Sequence, residues 1–269
     1  MEWQAPAIVL DARPFGESDA IVAVFTEEHG LHRGLARGGA GRNGAALFQP
    51  GNLITARWVG RLADQLGHLS AELVHPAAAL VMEDRLGLAM LLALTATASG
   101  ALPEREAHPR LFQPMLAFIV ALSQASGPRE ALLEDFVRLE LALLRELGYG
   151  LDLTSCAISG ATVGLAYVSP RSGRAVTAAA AGDWRGRLLA LPGFLSGGNA
   201  TPGPADWRDG LALTAHFLTR DAFGQRHRGL PAARTALFEM VADLAQDAVP
   251  EPPEPPSTPE SPPAAPRQE

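Results

Sequence analysis

Residues 29–44 read HGLHRGLARGGAGRNG, and they decide how the N-terminal part of the chain folds. After the turn at 28–30, every second residue is in turn a leucine or an arginine, at Leu31, Arg33, Leu35 and Arg37. This alternation indicates a β-strand. We expect this strand to carry arginine on one face and leucine on the other. The glycine-rich segment 38–44 then predicts a mobile loop that carries Arg42.

Four more segments on either side of this strand have the pattern of short strands. They lie at residues 7–13, 21–25, 53–59 and 65–73. Five strands in about 70 residues, with no amphipathic helix among them, predict a small closed or partly open β-barrel, for which the OB-fold is the commonest five-stranded solution. We therefore predict an OB-type nucleic-acid-binding domain over residues 1–77.

The pattern changes to a helical period after Pro76. Apolar residues recur as in amphipathic helices over 79–99, 109–123, 128–147, 204–219 and 231–246. An irregular insert at about 150–182 contains two strand-like pieces, 163–168 and 173–177. We predict an α+β fold in which a helical domain over 78–249 follows the barrel, and a disordered tail rich in proline and glutamate over 250–269.

Charge is distributed unevenly along the chain. The total is −7, yet residues 29–63 carry five arginines and no acidic residue. Because charges are screened over roughly 10 Å at 0.1 M salt, a ligand on this segment responds to the local charge more than to the total. The chain contains no lysine, and guanidinium groups suit bidentate phosphate binding. We expect DNA to be bound by Arg33, Arg37, Arg42, Arg57 and Arg61.

OB-folds also stack bases on aromatic side chains. Between residues 17 and 76 the available aromatic side chains are Phe25, Phe48 and Trp58. Trp58 alternates with Arg57, so it belongs either to a stacking surface or to the barrel core. We therefore expect phosphate contacts to supply most of the affinity for DNA.

No pattern of residues indicates an enzyme. Segment 39–44 matches GxGxxG, but Pro50 and Gly51 follow too soon for the helix that a dinucleotide fold requires. His29 and His32 have no second ligand pair, and the single Cys156 excludes a disulfide framework and a four-thiolate zinc site. We expect no catalytic residues, no cofactor and no metal.

The sequence also lacks membrane and export signals. The longest apolar run, 87–102, is interrupted by threonine and serine and predicts a buried helix. The first residues have no basic region typical of a signal peptide. We therefore expect a cytoplasmic protein.

Several short segments, in order, carry a family resemblance. They are 12–19 (ARPFGESD), 25–31 (FTEEHGL), 36–38 (ARG), 47–51 (LFQPG), 147–149 (LGY), 151–153 (LDL), 156–157 (CA), 167–170 (YVSP) and 172–176 (SGRAV). The chain resembles the RecO family of recombination and DNA repair proteins over residues 6 to about 246. This resemblance implies a non-enzymatic mediator of the RecF pathway that is associated with the nucleoid. It would bind single- and double-stranded DNA, anneal complementary strands, and engage RecR and the acidic tail of single-strand-binding protein (SSB) to load RecA.

This chain departs from the family pattern at the insert. Many relatives carry two Cys-x-x-Cys pairs there, whereas this chain keeps Cys156 and has Ser159, Thr177 and Ala180 at the other positions. Zinc is therefore not expected, and Cys156 is interpreted as a buried apolar residue. Relatives also often carry a more basic segment around 38–46.

No family motif locates the SSB-tail site. An acidic tail that ends in an apolar residue and a carboxylate requires arginine beside an apolar groove. Arg138 and Arg145 flank Leu141 on one side of the predicted helix 128–147 and are candidates, the alternative being an ordinary solvated face. An adaptor that reaches DNA mainly through SSB or RecR remains the alternative function.

Overall fold

A computed structural model describes residues 1–60, 66–198 and 201–248. The N-terminal strands are Glu2–Phe15 (β1), Asp19–Thr26 (β2), Gly30–Ala36 (β3), Leu53–Val59 (β4) and Gly67–His75 (β5). They form a closed barrel in the order β1-β2-β3-β5-β4, in which only the β3–β5 pair is parallel. The predicted five-stranded OB-type barrel is confirmed.

Trp58 fills the barrel interior where β3 meets β5. A Cβ atom added at Gly67 would lie 2.3 Å from the Trp58 ring, and one added at Gly34 would lie 2.7 Å from the Cβ of Leu69. The two glycines therefore let the parallel strands approach around the indole. Trp58 is 2% exposed and belongs to the core rather than to a stacking surface.

The segment after β3 is a turn followed by a short helix, Arg42–Leu47 (α1). The side-chain amide of Asn52 donates hydrogen bonds to the carbonyl oxygens of Ala46 and Leu47, at 2.9 and 3.1 Å. These bonds satisfy carbonyl groups at the C-terminal end of α1. The expected loop over 38–44 is therefore only partly a loop, because α1 begins at Arg42.

The helical part contains eight α-helices among the described residues. They are Ala77–Val81 (α2), Arg85–Ala101 (α3), Pro109–Gln124 (α4), Leu132–Glu146 (α5), Ala178–Ala181 (α6), Gly193–Ser196 (α7), Pro204–Phe217 (α8) and Ala232–Asp247 (α9). In the ranges described, none is long and apolar enough to cross a membrane.

A small three-stranded sheet interrupts the helices. Its strands, Leu165–Val168 (β6), Ala175–Thr177 (β7) and Leu189–Ala190 (β8), lie in the order β7-β6-β8. The first two correspond to the predicted strand-like pieces, and β8 was not predicted. Together with the barrel and the helices, this sheet confirms the α+β class and the small insert.

A buried ion pair joins the helices of the C-terminal part. Arg234 of α9 donates from Nε and Nη2 to the two carboxylate oxygens of Glu140 on α5, at 2.6 and 2.9 Å. Thr214 of α8 donates to the same carboxylate at 2.5 Å. Three helices therefore share one fully buried polar network, and removing one partner would leave an uncompensated charge.

One row of the barrel's outer surface packs against the helices, together with Leu10, Ala23 and Leu53. Ile8, Phe25 and Leu31 are paired across β1, β2 and β3 and belong to the same apolar core as α3, α4 and α5. The ring of Phe25 lies 5.6 Å from that of Phe112 on α4. The domain boundaries proposed above stay predictions, and the tail 250–269 lies outside the described residues.

Candidate nucleic-acid interface

The strand register places several basic residues on the outer surface of β1, β2 and β3. Beyond the packed row, Asp11 aligns with Ala23 and Arg33, and Arg13 aligns with Ile21 and Leu35. Residues two apart on a strand point to the same side. Arg13, Phe15, Arg33, Leu35 and Arg37 therefore lie on one side of these strands, called here the basic face, and Asp11 on the same side pairs with Arg13 at 2.7 Å.

The expected separation of arginine from leucine on β3 is wrong. Leu31, Arg33, Leu35 and Arg37 are all two residues apart and share the outer side. The other side of β3 carries His32, Gly34 and Ala36, which are buried. His32 contacts the rings of Trp3 and Trp58, at 5.2 and 5.6 Å between centroids.

Arg33 is held by the helical part of the chain. Its guanidinium forms an ion pair with Glu104, and only 33% of its side chain is exposed. The backbone N–H of Arg105 donates to the carbonyl oxygen of Leu31 at 2.8 Å, so the same segment also binds the strand backbone. Arg33 therefore reaches a phosphate only where Glu104 releases it.

Arg57 is also paired, but at the surface. Its Nη2 lies 2.5 Å from Oε1 of Glu2, and both side chains are about half exposed (54% and 52%). Exposed ion pairs of this kind contribute little, about 0–1 kcal/mol, because solvent screens them. A phosphate can therefore compete with Glu2 for Arg57.

Arg37 and Arg42 are exposed, and neither has an ion-pair partner within residues 1–60, 66–198 and 201–248. Arg37 follows β3 directly, and Arg42 begins α1. Arg61, the fifth predicted residue, lies outside the described residues. The predicted arginines therefore differ in how readily they can bind a phosphate. Arg37 and Arg42 are exposed and unpaired within the described residues, so they are the best placed to do so.

A groove of about 660 Å³ runs beside these residues. Arg37, directly after β3, and Arg57 of β4 line it, together with Leu35, Asn43 and His68. Arg33 lies instead in a cleft of about 980 Å³ between the barrel and the helices, which Asp11, Arg13 and Glu104 also line. The structure thus brings Arg37 and Arg57 together and places Arg33 at a separate opening.

The aromatic residues expected from the sequence are not available for stacking. Phe25, Phe48 and Trp58 are 5% exposed or less. Phe15, at the end of β1, is 52% exposed instead. Sequence analysis missed Phe15 and the nearby Arg13, although the segment ARPF at 12–15 places an aromatic residue two positions after a basic one.

The turn that follows Phe15 is tied to the segment that carries Arg37. The carboxylate of Asp19 accepts the backbone N–H of Gly38 at 2.8 Å, and the carbonyl oxygen of Ser18 accepts the N–H of Ala40 at 2.8 Å. These bonds hold the end of β1 next to the start of α1. One aromatic and two open arginines are therefore positioned by a fixed backbone.

The two candidates for the SSB tail have different surroundings. Arg138 borders an apolar groove of about 340 Å³ between α4 and α5, lined also by Pro114, Phe118 and Leu139. It pairs with Glu134 and Asp135 of its own helix at 3.1 and 2.9 Å. Arg145 is exposed and does not line this groove.

Cys156 is buried in the insert and receives several hydrogen bonds. Backbone N–H groups of Ser159 and Thr177 donate to its Sγ, each at 3.4 Å. Hydrogen bonding from Ser159, with further donation from Thr177, lowers the pKa of the thiol to about 6. No cluster of three or more His, Cys, Asp or Glu side chains suited to a metal occurs in the described part of the chain.

Comparison with known proteins identifies the family. The model described as "Recombination protein O N terminal" matches residues 1–77, and "Recombination protein O C terminal" matches residues 82–231. The chain is 56% identical over 247 residues to DNA repair protein RecO of Granulibacter bethesdensis, covering 91% of this chain and 98% of that one. It is 58% identical over 242 residues to DNA repair protein RecO of Acidiphilium cryptum, covering 89% and 95%. The order of its motifs, its barrel and these matches agree, and the chain belongs to the RecO family of DNA repair proteins.

Proposed function

We propose that this protein is a non-enzymatic recombination mediator that binds single- and double-stranded DNA through the groove beside β3 and the basic face. The observation that carries this proposal is the pair of exposed arginines without acidic partners in the described structure, Arg37 and Arg42, of which Arg37 lines a groove together with Arg57. Phosphate contacts supply most of the affinity of such surfaces, and Phe15 provides a ring for one base.

Membership of the RecO family supports two further activities that follow DNA binding, strand annealing and RecA loading. We propose that the protein anneals complementary strands and, together with RecR, helps to load RecA onto DNA coated with SSB. It would do so in the cytoplasm, in association with the nucleoid.

We further propose that the acidic tail of SSB binds the apolar groove between α4 and α5. Arg138 at its edge would bind the terminal carboxylate, while Phe118 and Leu139 would contact the terminal apolar side chain. Arg145, outside this groove, would contribute little.

Fluorescence anisotropy of a labelled 30-nucleotide single strand, and of the matching duplex, tests DNA binding. The protein is titrated at 50 and 200 mM salt. Arg37→Ala/Arg42→Ala is expected to weaken binding at least tenfold at 50 mM salt. Arg85→Ala/Arg110→Ala removes the same charge from exposed positions at the starts of α3 and α4 and is expected to leave affinity within about twofold.

The salt dependence of the affinity for DNA indicates how many arginines contact phosphates. If only Arg37, Arg42 and Arg57 neutralise phosphates of a single strand, the slope of log K against log salt is about −2; all five predicted arginines would give about −3.5. No binding at 50 mM salt would contradict the proposal. The adaptor function, favoured by the acidic partners of Arg33 and Arg57, would then replace it.

A further inference from the structure

The insert carries a second surface that combines aromatic and basic side chains. It lies on the short 3-10 helix Gly182–Arg187, which follows α6. Trp184 is 60% exposed, the largest exposed fraction of any aromatic side chain described. The guanidinium carbon of Arg187 lies 5.4 Å from the centroid of the Trp184 ring, and that of Arg185 lies 5.6 Å from the Tyr167 ring.

The charge on this surface is not neutralised within the protein. Arg185 and Arg187 are exposed and have no ion-pair partner among the residues with described positions; the one acid in the same turn is Asp183. Arg187 covers one side of the indole. With most of the Trp184 side chain in solvent, the indole is open to a planar ligand, and its basic neighbours favour an anionic one.

These features together fit single-stranded nucleic acid. Stacking on an aromatic ring tolerates any base, and arginine contacts the phosphates on either side of it. A surface for an apolar protein partner would not require two open guanidinium groups beside the ring.

The surface belongs to the helical part of the chain rather than to the barrel. Tyr167 lies in the central strand β6 and pairs with Ala190 of β8, and the N–H of Leu191 donates to the carbonyl oxygen of Ala166 at 2.9 Å. The sheet packs against α7 and α8. A strand held here would therefore not occupy the groove lined by Arg37 and Arg57.

We propose that Tyr167, Trp184, Arg185 and Arg187, called here the Trp184 surface, bind a second single strand, with one base stacked on Trp184. This inference rests on the annealing activity proposed above. Annealing joins two strands, and a protein with two separate single-strand surfaces can hold both at once. The barrel takes one strand and the Trp184 surface takes its complement.

Quenching of tryptophan fluorescence by oligothymidine of 30 nucleotides tests base stacking directly. Wild-type fluorescence is expected to fall on titration because the exposed Trp184 stacks on a base. Trp184→Phe is expected to lose most of this quenching, while its affinity for the strand held at the barrel, measured by anisotropy, stays within about threefold of wild type. Trp207→Phe, a half-buried tryptophan of α8, is the matched control and is expected to keep the quenching.

An annealing assay with complementary oligonucleotides tests the role of the second strand. Trp184→Ala/Arg187→Ala is expected to slow annealing about tenfold while affinity for the first strand changes by less than threefold. Arg37→Ala/Arg42→Ala is expected to lower affinity for that first strand.

The outcomes separate the two proposals. Unchanged quenching in Trp184→Phe overturns the Trp184 surface, and so does unchanged annealing in Trp184→Ala/Arg187→Ala. In either case, barrel binding stands if the Arg37→Ala/Arg42→Ala variant has lost affinity for DNA. Quenching that depends on Trp184, with no effect of the Arg37/Arg42 change, supports the Trp184 surface and overturns the barrel site. Absence of any DNA binding by wild type overturns both.

Discussion

The indole N–H of Trp58 donates a 3.1 Å hydrogen bond to the backbone carbonyl oxygen of Arg33. The side chain that fills the barrel is thus bonded to the backbone of the strand that carries the basic face. Because Trp58 also packs against Gly34 and Gly67, the position of that strand depends on the packing of one ring.

Enlarging Gly67 tests this dependence. Gly67→Ala places a methyl group against the Trp58 ring and is expected to destabilise the protein by about 1–3 kcal/mol, as overpacked cores do. Urea denaturation measures the change. Gly127→Ala, where an added Cβ meets nothing within 4 Å, is expected to stay within about 0.5 kcal/mol of wild type. Equal stability of the two variants would show that the ring has room to move.

Releasing Arg33 from Glu104 is expected to strengthen DNA binding. Glu104→Gln removes the carboxylate that pairs with Arg33, so this guanidinium becomes free for a phosphate. The salt slope for single-stranded DNA should steepen by about 0.7, one additional phosphate contact. Glu83→Gln changes the net charge equally at an exposed position and is the control. Identical slopes for the two variants would exclude Arg33 from the binding surface.

His32 is expected to make the protein sensitive to acid. Its pKa is lowered by burial, and also by the positive charge of Arg105. As pH falls through about 6.5 the unfolded chain binds a proton at this position more readily than the folded one, so folding stability decreases with falling pH.

Stability measured between pH 7.5 and 5 tests this effect. The free energy of unfolding of His32→Gln should fall less steeply with decreasing pH than that of wild type. The exposed His68→Gln should follow the wild-type curve. If the free energy of unfolding of His32→Gln falls with pH as steeply as that of wild type, the acid sensitivity comes from other groups.

The two arginines of α5 are expected to differ in binding the SSB tail. A peptide of several acidic residues ending in an apolar residue with a free carboxylate is titrated and followed by calorimetry. Arg138→Ala is expected to weaken binding about tenfold because it borders the groove with Phe118, whereas Arg145→Ala should change affinity by less than twofold. A larger loss of peptide affinity in Arg145→Ala than in Arg138→Ala would show that the SSB tail binds another face of α5.

Local periodicity predicted most of the fold. Five short segments in which residue types alternate predicted the barrel, because the two-residue period of side chains in a strand is visible in the sequence. The Arg42–Leu47 helix was missed because six residues are too few for a helical period, and because Asn52, which holds its end, lies beyond it. The two-residue strand β8 was too short to show a pattern.

The candidate site was less predictable because ion pairs connect distant residues. Arg33 meets Glu104, 71 positions away, and Arg57 meets Glu2, 55 positions away. No local pattern distinguishes these arginines from the open Arg37 and Arg42. The alternative that Trp58 belongs to the core is correct, and the exposed Phe15 was overlooked because an apolar residue at the end of a strand is normally assigned to the interior.

The segment that follows Pro103 determines how far a nucleic-acid strand can extend along β3. The backbone of Glu106 lies so close to Gly30 that a Cβ there would meet its carbonyl oxygen at 1.8 Å, and Glu104 is paired to Arg33. From Arg37 the accessible length of β3 ends at Arg33, about 13 Å away at 3.3 Å per residue. If single-stranded DNA follows β3 as proposed above, a strand longer than this stretch would leave β3 sideways, toward β1 or across β5, and would therefore be bent.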